Sequence, residues 1–413
     1  MTTAERLRGF ELFPIGCTPC KCQPRELLAS PTPVPPSTFA QYDGPSGTTS
    51  KGYNGFMGTA ADDGTNKGPS FFLNAYNQAD DGYAYSNWWF QFCFCAAAAT
   101  IVSGAMAERT SLVGYLIYTI VISGWIYPIV VAWSWNGGWA STMQDGHGLK
   151  DFAGSGIVHM TGGVAALCGA AIVGPRKGRF DEAKKPIAMP AHNTTFQVLG
   201  TMILWVGWYG FNPGSCLAII GKGAGVARSI VTTTLAAATG GITVVLTDKI
   251  AISHTWDVGM LCNGILAGLV SITAGAADTY PWQAVIIGMI GGWVYLSSSK
   301  IVLNVCKVDD PLDAFSVHGA CGFWGVIALA LFMPESGKLV GGIGGDSCGL
   351  FYGEGKILGS ALAFLFADIA WTGGWSCLMF LPLKMAGLLR VSSDVEDAGM
   401  DVSKHGGSAY STA

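Results

Sequence analysis

Residues 111–134 read SLVGYLIYTIVISGWIYPIVVAWS, a run without one charged side chain. At 1.5 Å per helical residue it is long enough to cross the roughly 30 Å hydrocarbon core of a bilayer. A segment in lipid must satisfy its own backbone polar groups, so this one reads as a spanning α-helix. Outward from it, comparable apolar stretches recur at about 86–106, 152–174, 195–217, 226–247, 257–277, 281–304, 317–333 and 355–383, separated by Gly, Pro, Asn, Asp and Lys/Arg. With 111–134 they make nine candidate spans, the last long enough to tilt or kink. The expected fold class is an all-α polytopic membrane protein. Composition agrees, because only 12% of the 413 residues are charged, against about 25% in a typical soluble domain, and mean hydropathy is +0.40. Fifty-eight glycines let membrane helices approach closely.

The net charge of −4 is spread along the chain with no acidic or basic block, which argues against a nucleic-acid or acidic partner. Residues 1–50 hold no apolar run long enough for a span or a signal peptide, and their Pro-rich stretch Ser30–Ser37 reads as irregular. Positive residues collect in short cytoplasmic loops. Twelve of them fall on one face (Arg109, Arg176, Lys177, Arg179, Lys184, Lys185, Lys249, Lys300, Lys307, Lys384, Arg390, Lys404) and five on the other (Lys150, Lys222, Arg228, Lys338, Lys356). The N-terminal 85 residues are therefore expected outside and the tail from Lys384 in the cytoplasm. Of twelve cysteines, nine are scattered singly, and the cluster Cys17, Cys20 and Cys22 lacks a matching second pair, so no zinc site is expected.

Ionisable residues inside a span usually mark a pathway. Among the histidines, His147, His192, His254 and His405 fall in expected loops or the tail, where solvation explains them. His159 and His318 lie within spans, among glycines. Each follows an aspartate by eight residues, Asp151 and Asp310, and both pairs open a span. Such a repeat suits an inverted arrangement with a site at the midplane. Each histidine can also be read as a core residue satisfied by a neighbouring carbonyl. Two neutral imidazoles in contact supply one donor and one acceptor, and so can line an apolar tunnel without a buried charge.

A tryptophan face holds a partly desolvated cation by about 1–2 kcal/mol. Trp135, at the outer end of the second span, is the best placed, while Trp139 reads as part of the interfacial aromatic belt. The run Trp208-Tyr-Gly-Phe-Asn-Pro-Gly-Ser215 ends the fourth span with a ring, Phe211, and a hydroxyl, Ser215, and its Gly and Pro suggest a broken helix end near a cavity. Asp151 reads as a helix cap that also adds negative potential to a vestibule, and Asp309-Asp310 reads the same way on the cytoplasmic side.

These residues bring a resemblance: the chain is similar to the ammonium transporter family (Amt/Mep/Rh), most of all its plant-type branch. The likeness rests on Gly104-Ala-Met-Ala-Glu-Arg109, Asp151-Phe-Ala-Gly-Ser-Gly-Ile-Val-His159, Gly207–Ser215, Asp309–Gly319 and the tail Gly399-Met-Asp-Val-Ser-Lys-His-Gly-Gly407, and it runs from about Gly55 to the C-terminus. It implies an external ammonium site at Trp135 and Ser215, gating rings at Phe94 and Phe211, and a twin-histidine pore of His159 and His318 below them. Phe94 is assigned through Gln91-Phe-Cys-Phe94, with Phe90 and Phe92 as alternatives. The resemblance further implies a helix-capping role for Asp151, a regulatory phosphorylation at Ser403 and homotrimers coupled through cytoplasmic tails. No covalent catalysis and no cofactor or metal are expected.

The family has eleven spans, and nine are read here. The expected organisation is an irregular segment unlike the family (1–50), an extracellular loop (51–85), a transmembrane domain lacking the first two helices (86–383) and a cytoplasmic regulatory tail (384–413). An incomplete gene model and a degenerate paralogue both account for this. The leading expectation is a plasma-membrane ammonium transporter serving nitrogen uptake. It would recruit NH4+ at the aromatic site, remove a proton, conduct past the histidines and assemble as a homotrimer or with paralogues. Alternatives are a non-conducting ammonium sensor or regulatory subunit and, below it, an Rh-type channel for NH3 or CO2.

Overall fold

The computed structural model describes residues 82–335 and 347–407, with a two-residue antiparallel strand pair, Tyr53–Asn54 against Thr59–Ala60. The expectations for 1–50, and for nearly all of 51–85, lie outside the described residues. Each of the nine expected spans corresponds to helix. They are α1 (Gly82–Ala105), α2 (Leu112–Val121) continued by α3 (Tyr127–Trp133), α4 (Thr161–Val173), α5 (Thr194–Phe211), α6 (Gly223–Ala251), α7 (Val258–Thr273), α8 (Pro281–Lys300), α9 (Cys321–Phe332) and α10 (Lys356–Met385). Six of these segments are long and apolar enough to cross a membrane, and two shorter apolar ones accompany them. Two short helices, α11 (Ser393–Ala398) and α12 (Met400–Lys404), follow in the tail.

Four spans contain a wider π-helical turn that apolar patterning does not reveal: Ile122–Ile126 between α2 and α3, Ser155–Met160 before α4, Ile301–Val305 after α8, and Phe315–Ala320 before α9. Such turns leave a hydrogen bond out of the regular ladder and favour functional positions. Both histidines singled out in the sequence ride on one, His159 on the second and His318 on the fourth.

Glycines set how closely the spans approach. A Cβ on Gly163 would lie 2.2 Å from the backbone nitrogen of Gly319, and one on Gly322 would lie 2.3 Å from the carbonyl of Ser155. The helices carrying the two histidines therefore cross backbone to backbone. Likewise α6 and α7 touch where Gly268 meets the carbonyl of Ala236. No hydrophobic force drives helices together in lipid, so this close van der Waals contact carries the association.

On the side opposite the vestibule described below, the chain ties itself together with charge. Arg109 is fully buried and donates to the carbonyls of Ala105, Ala107, Gly174 and Asp309, closing the ends of α1 and α4. The tail lies against the same region. Val391 donates its N–H to the carbonyl of Arg109, Arg390 pairs with Glu396, and Lys177 pairs with Asp397.

Candidate functional site

Asp151 positions the first histidine. Its Oδ1 accepts from the backbone N–H groups of Gly154 and Ser155, and its Oδ2 from Gly156 and Ile157, at 2.9–3.0 Å. Four donors at the head of the π-turn are thereby satisfied by one carboxylate, which is why the turn forms directly behind it. Burial pushes the Asp151 carboxyl above its ordinary range, and the four N–H bonds oppose that. Asp310 repeats the device in the second half, accepting from Ala314 and Phe315. Its neighbour Asp309 departs from the expectation and caps nothing. It is fully buried against Arg176, which it meets through two side-chain bonds of 2.8 and 3.0 Å, with Arg179 at 3.1 Å. Burial favours the neutral form of Asp309, but the hydrogen bonds and charge of Arg176 outweigh it and hold the carboxyl below the usual range. A carboxylate facing two guanidinium groups pairs with them before it caps a helix.

Trp135 and Ser215 come together on the walls of one cavity of about 390 Å³, which Phe90, Gln91, Phe94, Lys150 and Asp151 also line. The Trp135 indole N–H is taken by the carbonyl of Asp151 at 2.7 Å, leaving the ring face. Gly154 makes room for that ring. It sits at φ 99°, and a Cβ there would lie 3.0 Å from Trp135 and 2.6 Å from Val158. Ser215 is carried on the tight turn Pro213–Cys216, and its hydroxyl donates to the carbonyl of Phe211. Lys150 is a vestibule residue the sequence shows only as part of a charge tally. Burial lowers its pKa, against the carboxylate of Asp278.

Phe94 and Phe211 stack at 4.0 Å between ring centroids and close the floor of the cavity. Phe90 lies 4.6 Å from Phe94 on the vestibule side, whereas Phe92 pairs with Trp89 instead. Residues 90 and 94 are one helical turn apart and share a face, and residue 92 points away. Beneath the rings is a small cavity of about 40 Å³, lined by His159, His318, Trp208 and Phe211. The two Nδ1 atoms stand 3.2 Å apart. One must carry the shared proton and the other accept it, so the neutral tautomers are complementary. His159 Nε2 is buried and has no hydrogen-bond partner, and the same holds for Gln91 Oε1 on the vestibule wall, so the conduit presents orphan polar atoms both above and below the rings. Trp208 stacks on the His159 ring at 5.1 Å and 12°, held there by its N–H bond to Thr273. It stands in a stretch the sequence singled out, though only its neighbours were assigned.

Past the histidines a third space, about 50 Å³, is lined by His318, Gln197, Thr201 and Asn263. Asp313 lies at that end, its carboxylate accepting from Tyr295 and Ser299. Vestibule, stacked rings, histidine pair and exit cavity thus follow in order. Ser403 lies apart from them, exposed on α12, with its hydroxyl bonded to the carbonyl of Gly399.

Comparison with known proteins gives a consistent likeness. Residues 46–410 match the model of the Ammonium Transporter Family. The chain is 44% identical over 348 residues to ammonium transporter 1 member 2 of Oryza sativa subsp. japonica, covering 80% of this chain and 70% of that protein. It is 44% identical over 345 residues to ammonium transporter 1 member 1 of Arabidopsis thaliana, covering 79% and 68%. Among solved structures, a sensor Amt protein aligns with TM-score 0.75 at 28% identity over 97% of this chain and 96% of that one. Saccharomyces cerevisiae Mep2 aligns with TM-score 0.69 at 26% identity over 94% and 81%.

Proposed function

This chain belongs to the ammonium transporter family, and from that premise we propose the route by which it carries ammonium across the membrane. NH4+ enters the vestibule and settles over the face of Trp135, with Ser215 as a hydrogen-bond acceptor. Cation–π attraction of about 1–2 kcal/mol offsets part of the lost hydration. The stacked rings of Phe94 and Phe211 leave no polar group to replace that hydration further on, so the ion gives up a proton and neutral ammonia passes. Below the rings His159 Nε2 accepts a hydrogen bond from the passing molecule, and the shared proton between the Nδ1 atoms fixes which ring accepts and which donates.

The observation that carries this reading is the sequence of spaces itself. A vestibule with an exposed indole face leads through stacked rings to two imidazoles 3.2 Å apart, one of which has an unsatisfied nitrogen. Potassium has ammonium's charge and a similar size but no proton to lose, so proton removal discriminates where size does not.

The same proposal places the chain in the plasma membrane with its tail in the cytoplasm, as a homotrimer or with paralogues. The distribution of Lys and Arg supports the orientation. It also divides the chain into a segment unlike the family (1–50), an extracellular loop (51–85), a transmembrane domain (86–383) and a regulatory tail (384–413). Phosphate on Ser403 would add about −1.5 to −2 charges beside Lys404 and His405, enough to repack a docked tail.

Uptake of labelled ammonium by cells lacking their own transporters tests the reading. The unaltered chain should restore uptake, and Trp135→Ala with Ser215→Ala should raise the half-saturating concentration about tenfold. A chain that reaches the surface and moves no ammonium would refute it.

A further inference from the structure

Asp368 sits near the middle of α10, twelve residues in from Lys356, and is completely buried. Its Oδ1 accepts from the hydroxyl of Thr372 at 2.7 Å and its Oδ2 from the hydroxyl of Thr161 at 3.0 Å. The route above gives it nothing to do. A carboxyl at this depth is costly and needs a partner or a purpose.

The partner is not a cation. Lys356 and Lys384 stand on the same helix but twelve and sixteen residues away, roughly 18 and 24 Å at the helical rise. The titratable side chains on the elements packed against α10 are Tyr115 and Tyr118 of α2, Cys168 of α4, Cys321 of α9 and Tyr352 of the loop before it, with Cys377 on α10 itself. None of these carries positive charge. Asp151 is the nearest carboxylate reached through shared packing. Gly156, whose Cβ would lie 3.3 Å from Asp151 Oδ2 and 3.1 Å from the ring of Phe364, stands between it and the turn of α10 above Asp368.

We propose that Asp368 is a proton-binding site within the membrane, the carboxyl that takes up the proton ammonium gives away. The inference rests on the transport reading above. Each threonine hydroxyl can donate to the carboxylate or turn to accept from the acid, so both forms of the group find hydrogen-bond partners in place.

The transfer balances. An N–H bond of ammonium breaks with its electron pair left on ammonia, water carries the proton, and an O–H bond forms on an Asp368 oxygen as one threonine hydroxyl turns its hydrogen away. On release that O–H bond breaks, its electron pair stays on the carboxylate, the proton returns to water, and the threonine hydroxyl turns back to donate to the carboxylate. Thr161 opens α4 directly after the π-turn that carries His159, and its hydroxyl meets α10 at Asp368 while His159 faces the pore at His318.

The full-length chain is expressed in cells without ammonium transporters, and ammonium-evoked current and isotopic ammonium uptake are recorded together across external pH, with surface abundance measured. Asp368→Asn keeps the shape of the acid and cannot cycle. It should lower the charge moved per nitrogen about tenfold and flatten the pH profile of the current, and Asp368→Glu should restore both. Thr161→Val leaves the carboxyl in place and should shift the profile in the same direction, so it carries the test if Asp368→Asn does not reach the surface. Wild-type charge per nitrogen and pH profile in these variants would overturn the proposal, as would uptake without current in the unaltered chain. An unaltered chain that takes up no ammonium would instead refute the transport reading.

Discussion

His159 and His318 sit on matching π-turns, eight residues beyond matching aspartates, but their surroundings differ. His159 is sealed, only 3% exposed, with Trp208 flat against its ring and Phe211 beside it. His318 stacks on His159 itself, at 5.2 Å and 18°, and opens onto the exit cavity. Asp151 gathers four backbone donors and Asp310 two. Three residues after each aspartate the chain turns left-handed. There the vestibule half has Gly154 at φ 99°, which gives Trp135 its space, while the other half has Asp313 at φ 54°, which points a carboxylate at Tyr295 and Ser299. One framework thus builds an aromatic half around His159 and a more polar half around His318, and under the proposed route the first strips the ion of a proton and the second passes ammonia back to water.

The largest expected effect is on the caps. Asp151→Ala orphans four buried N–H groups and should cost about 4 kcal/mol or more, at roughly 1 kcal/mol or above for each. Asp310→Ala orphans two and should cost about half as much. Thermal melting of the purified protein checks the ratio, and equal losses would erase the distinction between the halves.

A smaller effect is expected at the left-handed turns. Gly154→Ala adds a Cβ within 2.6 Å of Val158 and 3.0 Å of Trp135, at a φ that resists side chains. Displacing the indole by this strain, about 1–2 kcal/mol, should raise the half-saturating ammonium concentration roughly tenfold. Asp313→Ala, at the equivalent position, should leave that concentration unchanged while lowering stability, because it removes hydrogen bonds far from the recruiting site. Uptake kinetics on both variants separate the two.

The smallest effect is a pH dependence confined to one half. Burial and the neighbouring Asp313 push Asp310 up from 3.8 to about 6, against its two N–H bonds. A carboxyl with a raised folded pKa binds its proton more tightly folded than unfolded. Its contribution therefore favours the fold as pH falls from about 6 toward 4 and is lost as pH rises through 6. After screening this is about 1 kcal/mol. Asp310→Asn should remove that slope from melting curves recorded between pH 5 and 7.

Much of this was legible in the residues. Apolar length located a helix at each of the nine expected stretches, six of them long and apolar enough to cross a membrane among the described residues, because lipid demands it. The equal Asp-to-His intervals pointed to the paired turns, although nothing in the apolar pattern marks them as π-helical. Other features depend on neighbours that sequence does not display. Adjacent Asp309 and Asp310 look alike until Arg176 claims one of them, and Trp208 reads as one aromatic among many until Thr273 orients it over His159. Asp368 is legible as an acid inside a span, but the Thr161 hydroxyl that holds it comes from a distant span, a pairing sequence does not display.

The central claim is that the paired imidazoles conduct what remains after ammonium loses a proton. The direct test is ammonium and potassium flux through His159→Ala combined with His318→Ala, in protein shown to reach the membrane. Loss of ammonium transport, or potassium entering alongside it, is the predicted result. Unchanged ammonium transport with potassium still excluded would contradict the account.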